Sequence, residues 1–228
     1  MPTSPDPVRP IALADIRAAR ERIAKTIVRT PLVRLELPAG QPDIRLKLEN
    51  LQPINAYKLR GAANAVAALP DAERRKGVWT ISAGNAGQGV AYAARAAGVP
   101  CTVVAIETAP QAKLDRMRAL GAKLILVDYT TAWKSLDDRA YPGAEGTFIH
   151  PFDDDHFIAG HATMGLEILE DAPDTYYVTD YYQPYPVVLV RLPHLDREAL
   201  RDLLAVSWRM AMEKARRPKR RGREPGIQ

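Results

Sequence analysis

The chain has 228 residues, of which 46% are hydrophobic and 26% are charged, as is typical of a water-soluble globular protein. Its net charge of +5 is local, because residues 214–223 carry seven basic side chains and the remainder therefore sums to −2. No apolar run approaches the ~20 residues that span a bilayer, and the first residues lack the pattern of a secretory leader. We expect a cytoplasmic protein with no membrane partner, in which only the basic tail has the charge to contact nucleic acid.

The predicted elements begin with a Pro-rich lead at residues 1–10, which we expect to be disordered. A helix follows over about 12–28, where apolar residues recur on one stripe, and Pro31 ends it. The segment 44–48 alternates apolar and charged residues, which predicts a strand with one buried face.

From residue 59 onwards, helices and strands alternate regularly. Helices are predicted at about 59–69, 86–97 and 109–120, and strands at 78–82, 101–106 and 123–127. Successive strand–helix–strand units imply parallel strands, so the predicted fold class is α/β. The single cysteine, Cys101, lies in the second strand, where a small buried hydrophobe is expected. Residues 130–150 look less regular, and a further helix is predicted at about 155–170.

The composition changes near residue 172. Five of the nine tyrosines fall within residues 176–185, after a helix that ends at Asp171-Ala-Pro173. A strand is predicted at 187–192 and a helix at about 196–212. This change indicates a boundary between two parts of the chain.

The first candidate site is a lysine between a strand and a helix. Lys58 stands in the run Gln52-Pro-Ile-Asn-Ala-Tyr-Lys-Leu-Arg-Gly-Ala62. An amine at such a junction can project into a cleft, where burial or a nearby cation makes it available for a Schiff base. A lone lysine at a helix start is otherwise a solvated surface charge, and both interpretations stay open at this point.

The second candidate site is a glycine-rich turn, Ser82-Ala-Gly-Asn-Ala-Gly-Gln-Gly89, between a strand and a helix. Such glycines allow a tight turn whose backbone N–H groups, with the following helix N-terminus, can hold an anion. The order G-x-x-G-x-G is neither the dinucleotide fingerprint nor a P-loop. The spacing alone is equally compatible with a purely structural turn.

Together, the two motifs resemble those of fold-type II pyridoxal-phosphate (PLP) enzymes, the threonine dehydratase and serine racemase group. Three later segments are similar to the same family, namely Pro151-Phe-Asp-Asp154, Ile158-Ala-Gly160 and Thr163-Met-Gly-Leu-Glu-Ile-Leu-Glu170. The resemblance spans about residues 10–172. It implies the three-layer, parallel-sheet small domain of these enzymes, which is similar to tryptophan synthase β.

The resemblance also implies a role for each motif residue. Lys58 would carry PLP covalently and move the substrate Cα proton, Tyr57 would pack beside the cofactor ring, and Asn85 would hydrogen-bond the ring hydroxyl. The substrate carboxylate would be held at Ser82, Ala83, Gly84, Asn85 and Ala86. The implied reaction is the dehydration of serine or threonine to a 2-oxo acid and ammonia, with the cofactor as electron sink.

Three positions depart from the family pattern. Ala83 replaces the second serine of the serine racemases, which argues against a two-base racemase and leaves lyase chemistry open. Ala86 replaces the usual histidine after the loop asparagine. Tyr57 also stands where the family usually has phenylalanine.

The family's second half brings a run of glycines that holds the cofactor phosphate. After Gly165 this chain has only Gly222 and Gly226, and no two glycines are adjacent. Because several charge-assisted hydrogen bonds would be missing, we expect a truncated member with impaired cofactor retention and activity. It could still form a homo-oligomer.

Residues 171–213 resemble the C-terminal end of a MmcQ/YjbR-like domain, a small α+β family proposed to bind DNA. The predicted organisation is a lead at 1–10, a dehydratase-like part at 11–172, a short α+β fragment at 173–213 and a disordered basic tail at 214–228. The alternative to an impaired enzyme is a non-catalytic fusion or chimera.

A cluster of acidic and histidine residues invites a metal interpretation. It comprises Asp153, Asp154, Asp155, His156 and His161. The two histidines are five apart and therefore off one helical face, while the aspartates suit a helix N-terminus. We predict no metal site.

Overall fold

The computed structural model describes residues 11–38, 44–179, 189–194, 200–201, 204–205 and 208. The predictions for residues 1–10 and 214–228, and for most of the helix at 196–212, lie outside the described residues. Both candidate motifs lie inside them.

The described helices are α1 (Leu13–Ile23), α2 (Lys58–Ala68), α3 (Asp71–Arg74), α4 (Asn85–Ala97), α5 (Gln111–Ala119), α6 (Tyr129–Asp138) and α7 (Asp155–Asp171). The described strands are β1 (Leu32–Arg34), β2 (Arg45–Lys47), β3 (Val78–Ile81), β4 (Cys101–Ile106), β5 (Lys123–Val127), β6 (Thr147–Phe148), β7 (Tyr176–Tyr177) and β8 (Leu189–Val190). Short 3-10 turns cover Glu49–Leu51 and Leu192–His194.

Four strands form one parallel sheet in the order β5-β4-β3-β6. Val78 of β3 lies opposite Cys101 on one side and Thr147 on the other, which places β3 in the middle of the sheet. Apolar runs such as Cys101–Ile106 are typical of strands buried on both faces. The predicted α/β class with a parallel sheet is confirmed. Two short antiparallel pairs, β1–β2 and β7–β8, accompany it.

The sheet is covered by helices on both faces. α4 and α5 pack against one face and α6 against the other, and α2 packs on α4, with α7 and α1 beyond it. The larger core includes Val90, Val103 and Met117, and the core under α6 includes Trp79 and Val104. Cys101 is buried in the larger core, and this burial raises the pKa of its thiol to about 12.

α1 ends at Ile23, five residues before the predicted end. The side-chain amide of Gln52 explains the difference, because it accepts a hydrogen bond from the Val28 N–H and donates one to the Val28 carbonyl. This tether holds the chain extended where the sequence pattern suggested another helical turn. The contact spans 24 residues, so the local periodicity carries no signal of it.

α6 was not predicted, since residues 130–150 looked irregular. The Asp128 carboxylate caps it by accepting a hydrogen bond from the Thr131 N–H at 2.9 Å. An aspartate three residues before the residue whose N–H it accepts is a typical helix N-cap, and this pattern is present in the sequence.

The prediction that strand 44–48 has a buried apolar face is wrong. Leu46 in β2 is 42% exposed and Ile44 is 40% exposed, and among the described residues no element covers them. The side chain that the strand buries is the Lys47 amine, which pairs with Glu167 at 2.8 Å and with Asp171 at 3.0 Å.

No helix in the described parts of the chain combines the length and apolar character needed to cross a bilayer.

Candidate active site

The candidate site lies at the carboxyl edge of the parallel sheet. The turn after β3 begins at Ser82, and the turn after the neighbouring strand β6 leads through Pro151 and Phe152. Ile149 donates to the Trp79 carbonyl and accepts from the Thr80 hydroxyl, which holds the two turns side by side. Crevices outside the carboxyl ends of parallel strands are the usual ligand sites of α/β sheets.

Lys58 is the first residue of α2, and its side chain is half-buried. Its amine Nζ lies 3.4 Å from the Pro151 carbonyl oxygen. Three aromatic rings surround the amine, with centroids 5.2 Å away for Tyr57, 5.4 Å for Phe152 and 5.5 Å for Phe157. Distances below about 6 Å allow cation–π attraction, so the rings orient the amine and restrict its access to water.

The glycine-rich run has two separate functions in the structure. Gly84 precedes α4, and its N–H donates to the Ser82 hydroxyl at 3.1 Å. The expectation that all three glycines form the turn is wrong, because Gly87 and Gly89 lie inside α4. A Cβ at Gly89 would lie 3.1 Å from the Ala62 Cβ and 3.2 Å from the Lys58 carbonyl oxygen, so this glycine allows α2 to approach α4 closely.

The N-terminus of α4 places the remaining loop residues. Asn85 and Ala86 are the first two residues of this helix, whose unpaired N–H groups and dipole favour an anion. Asn85 is exposed, whereas Ala86 is buried. Lys113 in α5, which the sequence analysis did not single out, adds a cation: its Nζ would lie 3.5 Å from a Cβ at Gly84.

His161 on α7 packs behind Lys58. The sequence pattern had suggested a role for this histidine only as a metal ligand. Its ring lies 4.9 Å from that of Tyr57 and 4.7 Å from that of Phe157. Burial, together with the charge of Lys58, lowers the pKa of His161 to about 4. Its Nε2 is buried without a hydrogen-bond partner among the described residues.

A buried ion network supports the start of α2. The Arg60 guanidinium is fully buried and donates to Glu49 at 2.8 Å, to Glu167 at 2.7 Å and to the Thr163 hydroxyl at 3.2 Å. Burial alone would raise the pKa of Glu49, but hydrogen bonds from Arg60 and Thr30 outweigh it and hold that pKa below its ordinary value. No local sequence pattern indicates this network, because it joins four separate segments.

The predicted cluster of aspartates has structural partners. Asp154 caps α7 by accepting from the Phe157 N–H at 2.8 Å, and Asp153 pairs with Arg139. Within the described residues, no three histidine, cysteine or acidic side chains come together as a metal-binding set.

These features lie on the α/β scaffold of a pyridoxal-phosphate dependent enzyme: the chain belongs to that family, whose model matches residues 23–181. The L-threonine ammonia-lyase of Thermotoga maritima is 42% identical over 175 residues. Among solved structures, a threonine deaminase from T.th. matches at 38% identity with a TM-score of 0.61, and a pyridoxal 5'-phosphate-dependent aspartate racemase at 34% with a TM-score of 0.64.

The chain spans about half the length of these relatives. The match to the ammonia-lyase covers 72% of this chain and 42% of that protein. The matches to the deaminase and the racemase cover 72% and 74% of this chain and 52% and 54% of theirs. The solved relatives thus include a deaminase and a racemase, so the overall likeness does not choose between those two reactions.

The family and its relatives imply pyridoxal 5'-phosphate as the cofactor. The described residues fit its aldehyde and ring, because they place a lysine amine, an exposed asparagine amide and aromatic faces at one edge. The loop N–H groups and Lys113 add donors suited to an anion.

Proposed function

We propose that this chain is an ammonia-lyase-type PLP protein that acts on a hydroxy-amino acid, with serine and threonine as candidates. The net reaction removes the β-hydroxyl and the amino group and yields a 2-oxo acid and ammonia. The observation that supports it most is the Lys58 amine, which three aromatic side chains surround. It lies beside the turn after β3, which begins at Ser82 and offers donors suited to an anion. Location in the cytoplasm and assembly into a homo-oligomer belong to the same proposal.

Lys58 would carry the cofactor and move the proton at the substrate Cα. Support comes from the position of its Nζ, which lies 3.4 Å from the Pro151 carbonyl oxygen and 5.4 Å from the centroid of the Phe152 ring. Tyr57 would pack beside the cofactor ring, and the exposed amide of Asn85 would hydrogen-bond the ring hydroxyl. When bound, the cofactor supplies an electron sink for the charge left at Cα.

The substrate carboxylate would lie at Ser82, Ala83, Gly84, Asn85 and Ala86. Support comes from the N-terminus of α4, a 13-residue helix, and from the nearby amine of Lys113. Ala83 has no hydroxyl to move a proton on the second face of Cα. This absence favours a lyase over a two-base racemase.

We further propose that cofactor binding is weak, because the sequence has no glycine-rich phosphate cradle after Gly165. The test compares PLP with pyridoxal, which lacks the phosphate, as ligands for the purified chain. Equal affinities within about threefold are expected, since a single charge-assisted hydrogen bond to the phosphate would already be worth about 1.5–3 kcal/mol. A preference for PLP of more than about tenfold would show that a phosphate site exists.

The experiment that tests the function is the visible absorption spectrum with added PLP, before and after borohydride. The intact chain should give a band that borohydride fixes onto Lys58, as peptide mass spectrometry can show, and Lys58→Ala should not. Lys76→Ala, which removes an exposed lysine elsewhere, is the matched control. Dehydration of serine and threonine is then assayed. A band of equal strength in Lys58→Ala would refute the assignment of this lysine.

A second proposal concerns the C-terminal part, residues 173–213, as the end of a MmcQ/YjbR-like domain fused to the dehydratase-like part. The pairing of β7 with β8, with Tyr176 opposite Val190, supports a short α+β fragment there. If this part and the basic tail bind DNA, affinity should fall steeply with salt and vanish when residues 214–228 are deleted. Affinity unchanged by the deletion would refute a role of the tail.

A further inference from the structure

An apolar cavity lies next to the candidate active site, between the carboxyl edge of the sheet and α6. Its volume is about 200 Å³. Side chains from the sheet and from α6 line it, among them Val104, Ile106, Ala132, Trp133 and Leu136. Only three of its lining side chains have a hydrogen-bonding group: the Ser82 hydroxyl, the Tyr129 phenol and the Trp133 indole.

The cavity shares residues with the candidate active site. Ser82 and Ala83, the first residues of the proposed carboxylate turn, form part of its wall. Phe152 forms another part, and the same ring lies 5.4 Å from the Lys58 amine. A group held between the lysine and the turn would therefore lie beside a wall of the cavity.

The size and lining of the cavity fit a ring better than a small polar side chain. A dry protein cavity of about 150 Å³ with an aliphatic and aromatic lining is large enough to bind benzene. The side chains of serine and threonine would leave most of this volume empty, so the cavity walls would gain few van der Waals contacts from them.

The rim carries aromatic side chains that are unusually exposed. Tyr129 is 65% exposed, Trp133 46% and Phe152 60%, and the Tyr129 and Trp133 rings lie 6.0 Å apart. Exposed aromatic residues grouped around a concavity are typical of a ligand site, because a bound ring removes their faces from water.

We propose that this cavity receives an apolar, ring-sized side chain of the amino acid bound at Lys58, so that the substrate class includes β-aryl hydroxy-amino acids such as 3-phenylserine. This inference rests on the proposed function for its substrate, but the cavity itself can be probed without the cofactor. The reaction stays balanced as before: the Cα proton and the β-hydroxyl leave, and hydrolysis then releases ammonia and an aryl 2-oxo acid.

The first arm of the test uses fluorobenzene, which has no amino or carboxylate group, and follows its ¹⁹F signal on addition of the cofactor-free chain. Saturable binding is expected. Ala132→Leu should abolish it, because Ala132 is 4% exposed and lines the cavity, so the added atoms fill the space. Asp137→Leu, an exposed position on the same helix, is the matched control and should bind like the parent.

The second arm compares 3-phenylserine with serine as ligands of the PLP-loaded chain, through the change in the visible band. A preference for 3-phenylserine of at least about tenfold is expected, equivalent to about 1.4 kcal/mol. Ala132→Leu should remove this preference and leave serine binding unchanged.

The outcomes separate this inference from the proposed function. Fluorobenzene binding without any Lys58-dependent band would refute the proposed function and leave an apolar ligand cavity. A Lys58-dependent band without fluorobenzene binding, or with equal affinity for both amino acids, would overturn the inference and leave the proposed function intact.

Discussion

Arg60 offers a stringent test of the packing behind the lysine. Its guanidinium makes five hydrogen bonds: two to Glu49, two to Glu167 and one to Thr163, all between 2.7 and 3.2 Å. Arg60→Met keeps the apolar stem but removes every donor. Two carboxylates then stay in a buried position with much less positive charge around them.

The expected loss follows from that geometry. Breaking a buried ion pair by removing one partner costs about 3–5 kcal/mol, because the remaining charge is uncompensated. The Lys47 amine still pairs with Glu167, so the lower part of this range is expected. Domains of this size are stable by only about 5–15 kcal/mol, so the variant should lose a large share of its stability.

Urea unfolding at pH 7, followed by circular dichroism, measures this loss. Arg118→Met is the matched control, since Arg118 pairs with Asp115 on the surface, where the two side chains are 46% and 60% exposed. An exposed pair of this kind is worth at most about 1 kcal/mol. If Arg60→Met costs no more than Arg118→Met, the buried network does not support α2 as argued.

The pH dependence supplies a second check on the same variant. The folded-state pKa of Glu49 is lowered, so its stabilising contribution is present above its ordinary pKa of 4.5 and is lost as the pH falls below that value. In Arg60→Met the part of this contribution that comes from Arg60, the largest, is already absent, while the hydrogen bond from Thr30 remains. The difference in free energy of unfolding between parent and variant should therefore shrink as the pH falls below about 4.5.

Three further predictions test the fold and the site. Gly160→Ala should destabilise the chain by about 1–3 kcal/mol in urea unfolding, because the new Cβ would lie 2.4 Å from the Arg60 carbonyl oxygen. Gly165→Ala on the same helix is the control: its new Cβ would meet no atom within 4 Å, so this change should be neutral or stabilising. Cys101 should react with a thiol reagent only on unfolding, since burial raises its pKa to about 12; fast reaction of the native chain would contradict its position. The pKa of His161 is lowered from 6.5 to about 4, so the free energy of unfolding should fall by about 3 kcal/mol as the pH falls from 6.5 to 4. His161→Gln should lose this pH dependence. If the free energy of unfolding of His161→Gln still falls by the same amount, another group is responsible for the pH dependence.

The sequence predicted three of the four strands of the parallel sheet because these three are marked locally, whereas β6 lies in the stretch 130–150 that looked irregular. Cys101–Ile106 and Lys123–Val127 have the predicted bounds, since each is an apolar run between clear turn residues. α6 had a local signal at Asp128 that the irregular composition obscured. The end of α1 had none, because the Gln52 tether that sets it comes from a distant segment.

The same distinction holds for the site. The lysine and the turn were found as motifs, and the structure brings both to the carboxyl edge of the sheet. Phe152 was noted only as part of a family segment, and its contact with the Lys58 amine depends on the pairing of β6 with β3. Lys113 reaches Gly84 only because α5 packs beside α4. These contacts arise from tertiary packing, which spacing along the chain does not encode.

The position of Lys58 depends on the small residues around α2 as much as on the lysine. A Cβ at Gly61 would lie 2.6 Å from the Phe157 carbonyl of α7, and Ala62 faces Gly89 of α4 across a gap that admits no larger side chain. α2 thus packs between α4 and α7 at close backbone distance, and Arg60 links it to Glu49 by hydrogen bonds. The consecutive residues Lys58 to Ala62 therefore have different roles: the first presents an amine to the crevice, and the others hold the helix that aims it. Gly61→Ala should shift α2 and with it the Lys58 amine, although the lysine itself is unchanged. A loss of the Lys58-dependent band in Gly61→Ala would therefore come from a displaced amine and not from a missing one.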